Sequence, residues 1–327
     1  MGWTKHSSAR LRGYRDTIYV IVLAFLAASI LTYIAGAPFL EFYATLVRRG
    51  LGTSVGIEVL IALTTVLVLT GLAACIPFSA SMWNIGGEGQ LCMGGLAATV
   101  ALVALGTQSI CVIVLFSMIA GGAWALIPAI LRFKFRTNEI VSTLLLNFVA
   151  AYSVLYATRE PLRLPQAMAP QSPILPQLFF IPGLLAVLVA SVVVSYVLME
   201  KTRLGYEIQV VGRSPRAAAY AGISMTYTGA LAMIIGGAFA GLAGAIIPTS
   251  YLMSALMPGF SSMYGFVGMG VALMARLRTV DIPLNAFIVA LLFVTLQFLH
   301  AGTGIPLLLA VAVVGLVMIV VAVLRRK

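Results

Sequence analysis

Charged side chains are scarce in this sequence. Only 9% of its 327 residues are charged, whereas soluble domains carry about 25%. No Lys or Arg occurs between Leu51 and Leu131, where the only acids are Glu58 and Glu88. A chain with a mean hydropathy of +1.09 and so few charges cannot cover a water-exposed surface, which excludes a soluble fold.

The sequence is equally poor in residues that carry enzyme chemistry. It has two histidines and three cysteines, and neither an HExxH nor a CxxC spacing that would indicate a metal or redox site. The phosphate-binding pattern G-x-x-x-x-G-K-[ST] is also absent, so the chain has no recognisable nucleotide-hydrolysing loop. We therefore predict no catalytic residues, no metal and no cofactor, and interpret the chain as a conduit or carrier for a solute.

Long apolar runs make up most of the chain. About 20 apolar residues are enough to cross a ~30 Å hydrocarbon core as a helix, and about ten such runs occur. We predict an all-α integral membrane protein with about ten transmembrane helices, forming a single transmembrane domain over residues 1–327, with both termini cytoplasmic. The predicted spans are 17–36, 56–76, 89–107, 109–131, 139–158, 178–199, 227–248, 260–275, 282–299 and 304–324.

The net charge of +11 follows from this topology. If the spans alternate, all but four of the 20 lysines and arginines fall on the inner side, as the positive-inside rule predicts. This distribution explains the basic composition without a nucleic-acid partner, and membrane lipid is the expected surrounding. The four outer residues are Arg48, Arg49, Arg159 and Arg163.

Two loops stand out between the spans. The outer loop at about 159–177 contains five prolines, which resist helix formation, so we predict an extended surface segment. The inner loop at about 200–227 contains Ser214-Pro215, a pair typical of a helix N-terminus, and Gly222, which is suited to ending one. A short inner-face helix at about 216–221 is predicted, with an ordinary linker as the alternative.

Polar residues inside the uncharged region need an explanation. Asn84 and Glu88 lie one helical turn apart, but the glycines between them favour a broken helix whose polar groups line a pathway. Alternatively, Glu88 marks the cytoplasmic start of the third span, where an acid stabilises a helix N-terminus. For the pathway we propose Trp83, which would stack on a flat ring, and the hydrogen-bonding residues Asn84, Glu88, Gln90 and Asn147.

Two further patterns recur at helical spacing. Glu139, Thr143 and Asn147 share one face of the fifth span, where Asn147 serves either as a helix–helix contact or as pore lining. Small residues in the seventh span predict a close helix–helix seam. They are Gly236, Gly237, Ala240, Gly241 and Gly244.

Several blocks of the sequence resemble a known family. The blocks resemble the inner-membrane permeases of ABC importers for simple sugars and nucleosides, in the superfamily of branched-chain amino acid and ribose permeases. They read NIGGEGQLCMGGLAA (84–98), TNEIVSTLLLNFVA (137–150), GYEIQVVGRSPRAAAYAGIS (205–224), GGAFAGLAGAI (236–246) and GFVGMGVALMARLRTVDIPLNAFIVALLF (265–293).

The resemblance implies partners and a location. It implies an ABC ATPase subunit, a second permease in a heterodimer, and an external substrate-binding protein, often a lipoprotein. It also implies the bacterial inner membrane. The ATPase would dock on the inner-face helix through Arg213, Arg216, Ala217, Ala218, Tyr220 and Gly222.

The predicted function is that of an ABC importer permease. ATP hydrolysis by the partner would drive alternating access, moving a nucleoside or a simple sugar inward. The rival is an ion-coupled secondary transporter of a small polar solute, which would need a relay of ionisable groups inside the membrane. Glu88 alone is weak support for such a relay.

Overall fold

The computed structural model describes residues 22, 25–30, 32–34, 36, 38–304, 312 and 315–316. All regular structure in these ranges is helical. A π-helical turn follows α1, and 3₁₀ turns follow α9 and precede α11. The helices are α1 (Phe39–Thr45), α2 (Ser54–Ser79), α3 (Gly87–Val103), α4 (Ile110–Phe135), α5 (Glu139–Arg159), α6 (Ile181–Lys201), α7 (Arg203–Arg213), α8 (Pro215–Tyr220), α9 (Met225–Ile246), α10 (Tyr264–Met274) and α11 (Ile282–Thr303).

Six of these helices are long and apolar enough to cross a membrane. They are α2, α4, α5, α6, α9 with the 3₁₀ turn that extends it, and α11 with the turn before it. The predicted all-α membrane fold is therefore confirmed, but the count of ten spans is not. About half of the first predicted span, most of the last one and both termini lie outside the described residues.

Two predicted spans contain shorter helices than expected. The third ends at Val103 after 17 residues. The eighth, predicted over 260–275, is helical only in the 11 residues of α10. At 1.5 Å per residue α10 is about 16 Å long, roughly half of a hydrocarbon core. The prediction of a full helical span at 260–275 was therefore wrong, because hydropathy does not show where an apolar segment leaves the helical conformation for turns.

The chain leading into α10 is partly buried without being helical. Leu256 and Phe260 are buried, and Ser262 and Met263 have left-handed backbone. Part of the backbone pairs with the proline-rich loop, since the Ser172 amide donates to the Leu256 carbonyl at 2.9 Å. The predicted loop at 159–177 is indeed non-helical, but it is packed against this segment and only partly exposed.

The chain separates into two compact units. One comprises residues 1–60 and 288–327, in which the π-helical turn places the Arg49 guanidinium beside Gly302. The other comprises residues 61–287 and contains every contact of the site described below. A single transmembrane domain stays a prediction.

Glycines bring α9 against α3 and α4 in the second unit. A Cβ atom added to Gly241 would overlap the carbonyl of Ser117 in α4, and one added to Gly244 would overlap the carbonyl of Leu91 in α3. Gly237 faces Gly121 of α4 and Gly236 faces α2, while Ala240 is fully buried. Backbones meet at these points because no side chain intervenes, the packing that small residues allow within membranes.

Candidate functional site

The polar residues at the start of α3 form a closed network. We call residues 80–90 the hinge segment, which is non-helical from Met82 to Ile85 and enters α3 at Gly87. Asn84 and Gln90 exchange two hydrogen bonds, with Asn84 Nδ2 donating to Gln90 Oε1 at 3.0 Å and Gln90 Nε2 donating to Asn84 Oδ1 at 2.9 Å. The Gly86 amide also donates to Asn84 Oδ1, at 3.1 Å. This double amide pair fixes the turn that leads into α3.

Helix α5 holds the hinge segment from one side. Asn147 Oδ1 accepts from the Gly89 amide at 2.8 Å, and Asn147 Nδ2 donates to the Ile85 carbonyl at 3.0 Å. One turn earlier, Thr143 Oγ1 accepts from the Ile85 amide at 3.3 Å. The polar stripe of α5 thus satisfies backbone groups that the break between α2 and α3 leaves without helical partners.

The first residue of the stripe, Glu139, makes a different contact. It lies at the first position of α5 and pairs with Arg132 near the end of α4, with Nε and Oε2 3.2 Å apart. The capping residue of α5 is its neighbour Asn138, whose side chain accepts from the Ile140 amide. Glu139 therefore connects consecutive helices and does not contact the hinge segment.

Glu88 turns away from this network towards α10. Its Oε2 accepts from the buried Gly265 amide at 2.8 Å, and its carboxyl group lies close to Ser261, Met263 and Phe266. The N-terminus of a helix carries a partial positive charge, so a carboxylate is stabilised there. Gly265 leaves room for this contact, because a Cβ atom on it would overlap the Glu88 backbone.

The structure brings together four of the five predicted pathway residues, but as partners of the protein itself. Asn84, Gln90 and Asn147 pair with each other or with backbone, and Glu88 caps α10. The predicted break in the helix is present, between α2 and α3. The backbone groups of Ile85 and Gly89 at this break are hydrogen-bonded to side chains of α5. Trp83 stands apart, 48% exposed, with its ring 4.9 Å from that of Phe78. A pathway role for these residues stays a prediction.

Two residues that form part of the site were not predicted from the sequence. Thr143 belongs to the polar stripe but was not assigned to the site, although its spacing from Asn147 was the available signal. Gly265 follows Glu88 by 177 residues, so no local pattern indicates the contact.

The short helix predicted at about 216–221 is present as α8. It begins at Pro215, and Ser214 Oγ accepts from the Ala217 amide at 3.4 Å as an N-cap. Gly222 follows with φ +70°, a conformation that glycine adopts readily. The helix exposes Tyr220 to 94% and buries only Ala218. The expectation of a helix at about 216–221 is confirmed, with an earlier start.

An apolar groove of about 830 Å³ lies between α3 and α5. Phe148, Tyr152 and Tyr156 line it at four-residue spacing, and each ring is more than half exposed. Leu96 and Val100 of α3 form part of the opposite wall.

Comparison with known proteins places this geometry in context. Residues 56–322 match the protein family described as "Branched-chain amino acid transport system / permease component". The glucose ABC transporter permease protein TsgB13 of Haloferax volcanii is 33% identical over 85% of this chain and 79% of its own length. The guanosine ABC transporter permease protein NupP of Bacillus subtilis is 27% identical over 93% and 92%, and NupQ, also a guanosine permease of that organism, is 25% identical over 74% and 80%. No solved structure matches the chain significantly.

Proposed function

The chain belongs to the family of permease components of branched-chain amino acid transport systems, and from this we propose that it is the membrane subunit of an ABC importer for a nucleoside or a simple sugar. The observation that carries the proposal is the exposed helix α8, which stands on a permease scaffold without a phosphate-binding loop of its own. ATP hydrolysis would be supplied by a partner subunit that docks on α8.

The buried charged groups of the second unit favour a cargo without a charge. A helix N-terminus inside a membrane protein attracts anionic groups, but the Gly265 amide at the start of α10 already donates to Glu88. An anionic solute would therefore have to displace a carboxylate that already occupies this position. The rings of Phe148, Tyr152 and Tyr156 offer flat faces suited to a nucleobase or the apolar face of a sugar, since base–aromatic stacking is worth about 1–3 kcal/mol per base.

The rival ion-coupled carrier has little support from the described part of the chain. The buried carboxyl groups there belong to Glu88 and Glu139. Glu88 caps α10 and Glu139 pairs with Arg132, so each already has a partner. A relay that moves ions across the membrane needs a series of ionisable groups, and these two acids do not form one.

The remaining partners follow from the same proposal. NupP and NupQ are two guanosine permeases of one organism, which supports pairing of this chain with a second, different permease. An external binding protein, a lipoprotein in the simplest case, would deliver the cargo. We propose the bacterial inner membrane as the location, in keeping with the apolar helices.

If the ATPase docks on α8, substitutions of exposed residues on this helix should weaken ATPase binding. Tyr220→Ala removes the most exposed large side chain of the helix, and Arg216→Glu reverses a charge on it. Aromatic and arginine side chains contribute most of the binding energy at protein interfaces, often 2 kcal/mol or more each. We expect the double variant to bind the ATPase at least tenfold more weakly in pull-downs from detergent.

The matched control is Tyr33→Ala, which removes a tyrosine that is 64% exposed and lies far from the predicted inner loop in sequence. It should leave ATPase binding unchanged. Equal binding by the double variant and the wild type would remove α8 from the interface.

A further inference from the structure

Helix α7 touches the hinge segment directly. Ser81 Oγ donates to the Gly212 carbonyl at 2.9 Å, across 131 residues of sequence. A Cβ atom added to Gly212 would overlap the Ser79 carbonyl at the end of α2 and crowd the Ser81 amide. The last turn of α7 is therefore packed backbone to backbone against the start of the hinge segment.

Both ends of this contact are constrained. Ser81 has φ +56°, in the left-handed region that residues other than glycine seldom occupy. Such a conformation persists only where the surroundings determine it, and it occurs often at switch regions. On the other side, α7 is fixed to α6 because Gln209 Nε2 donates to the Met199 carbonyl at 2.8 Å.

A continuous series of contacts leads from α8 to α10. Only Ser214 lies between α7 and α8, so the two helices are directly connected. From Gly212 the series continues through Ser81 to the Asn84–Gln90 amide pair, and then through Glu88 to the N-terminus of α10. Each link is a hydrogen bond or a short stretch of backbone.

We propose that Ser81 and Gly212 form the joint through which a displacement of α7 and α8 moves the hinge segment and, through Glu88, α10. The inference rests on the proposed function, because the displacement comes from an ATPase bound to α8. Ser81 and Gly212 are then positioning residues of the transport cycle. This role requires no contact of either residue with the cargo or with the ATPase.

The joint predicts uncoupling of transport from hydrolysis. In proteoliposomes containing this chain, its ATPase and its second permease, supplied with the binding protein, Ser81→Ala should lower the solute transported per ATP hydrolysed at least threefold. The hydrolysis rate itself should stay within twofold of the wild type, because the docking helix is unchanged. Ser81→Asn should retain more than half of the wild-type ratio, since asparagine tolerates positive φ and can donate to the Gly212 carbonyl.

Ser79→Ala provides the matched control. Its hydroxyl donates to the Cys75 carbonyl within α2, so the substitution leaves the Ser79 carbonyl that packs against Gly212 unchanged. We expect this variant to transport as much solute per ATP as the wild type. An unchanged ratio in Ser81→Ala, an equal fall in Ser79→Ala, or a loss of assembled complex at constant ratio would each overturn the proposal. Absence of ATP-driven uptake by the wild-type complex would instead contradict the proposed function.

Discussion

Uptake is expected to fall more than tenfold when Glu88 is replaced by alanine. The substitution removes the acceptor of the buried Gly265 amide at the N-terminus of α10. A buried donor left without a partner costs about 1–3 kcal/mol, and a helix N-terminus loses a further favourable charge interaction. The assembled complex should therefore melt several degrees lower, measured by a thermal shift assay beside the uptake assay.

The same experiment distinguishes two roles for Glu88, as a cap of α10 and as a residue that contacts the cargo. A side chain that only touches the cargo would change the KM for uptake while leaving thermal stability intact. Glu139→Ala is the control, because the ion pair of Glu139 is with Arg132, whose side chain is 44% exposed. Partly solvated pairs contribute about 1 kcal/mol or less, so this variant should keep most of its uptake and stability. Unaltered stability in Glu88→Ala would contradict the capping role.

Gly94→Ala is expected to prevent stable folding. A single methyl group at this position would overlap the backbone of Gly241, where α3 and α9 are in direct contact. The two helices cannot separate locally, since Gly95 and Gly244 meet one turn away. We expect the amount of protein in the membrane to fall at least tenfold, measured by immunoblotting of isolated membranes.

Gly183→Ala makes the corresponding change where space is free. Gly183 lies in α6, and a Cβ atom added there meets nothing within 4 Å. Alanine is favoured over glycine in helices by about 1 kcal/mol, so this variant should accumulate at the wild-type level or above. Wild-type accumulation of Gly94→Ala would show that α3 and α9 are not packed as described.

Local signals in the sequence predicted the short helix α8 well. Ser214, Pro215 and Gly222 act within one short segment, as N-cap, first residue and terminator. Their effect depends on neighbouring backbone alone, so position in the chain is sufficient to predict them.

Contacts between residues far apart in the sequence could not be predicted from local patterns. Periodicity indicated that Thr143 and Asn147 share a face of α5, but it could not indicate that the face meets backbone near Gly89. The same limit applies to Glu88, whose acceptor role depends on a helix that starts 176 residues later, at Tyr264. Nor could a local pattern indicate that Ser172 pairs with the Leu256 backbone in the segment before α10, through its amide and its hydroxyl.

The source of energy for transport is the most direct test of the account. The chain should be reconstituted in liposomes with its ATPase, its second permease and its binding protein, and solute accumulation measured with ATP, with a non-hydrolysable ATP analogue and with an ionophore. We predict accumulation with ATP, none with the analogue, and no effect of the ionophore. Accumulation that proceeds without the ATPase and collapses when the ionophore is added would contradict a permease driven through α8.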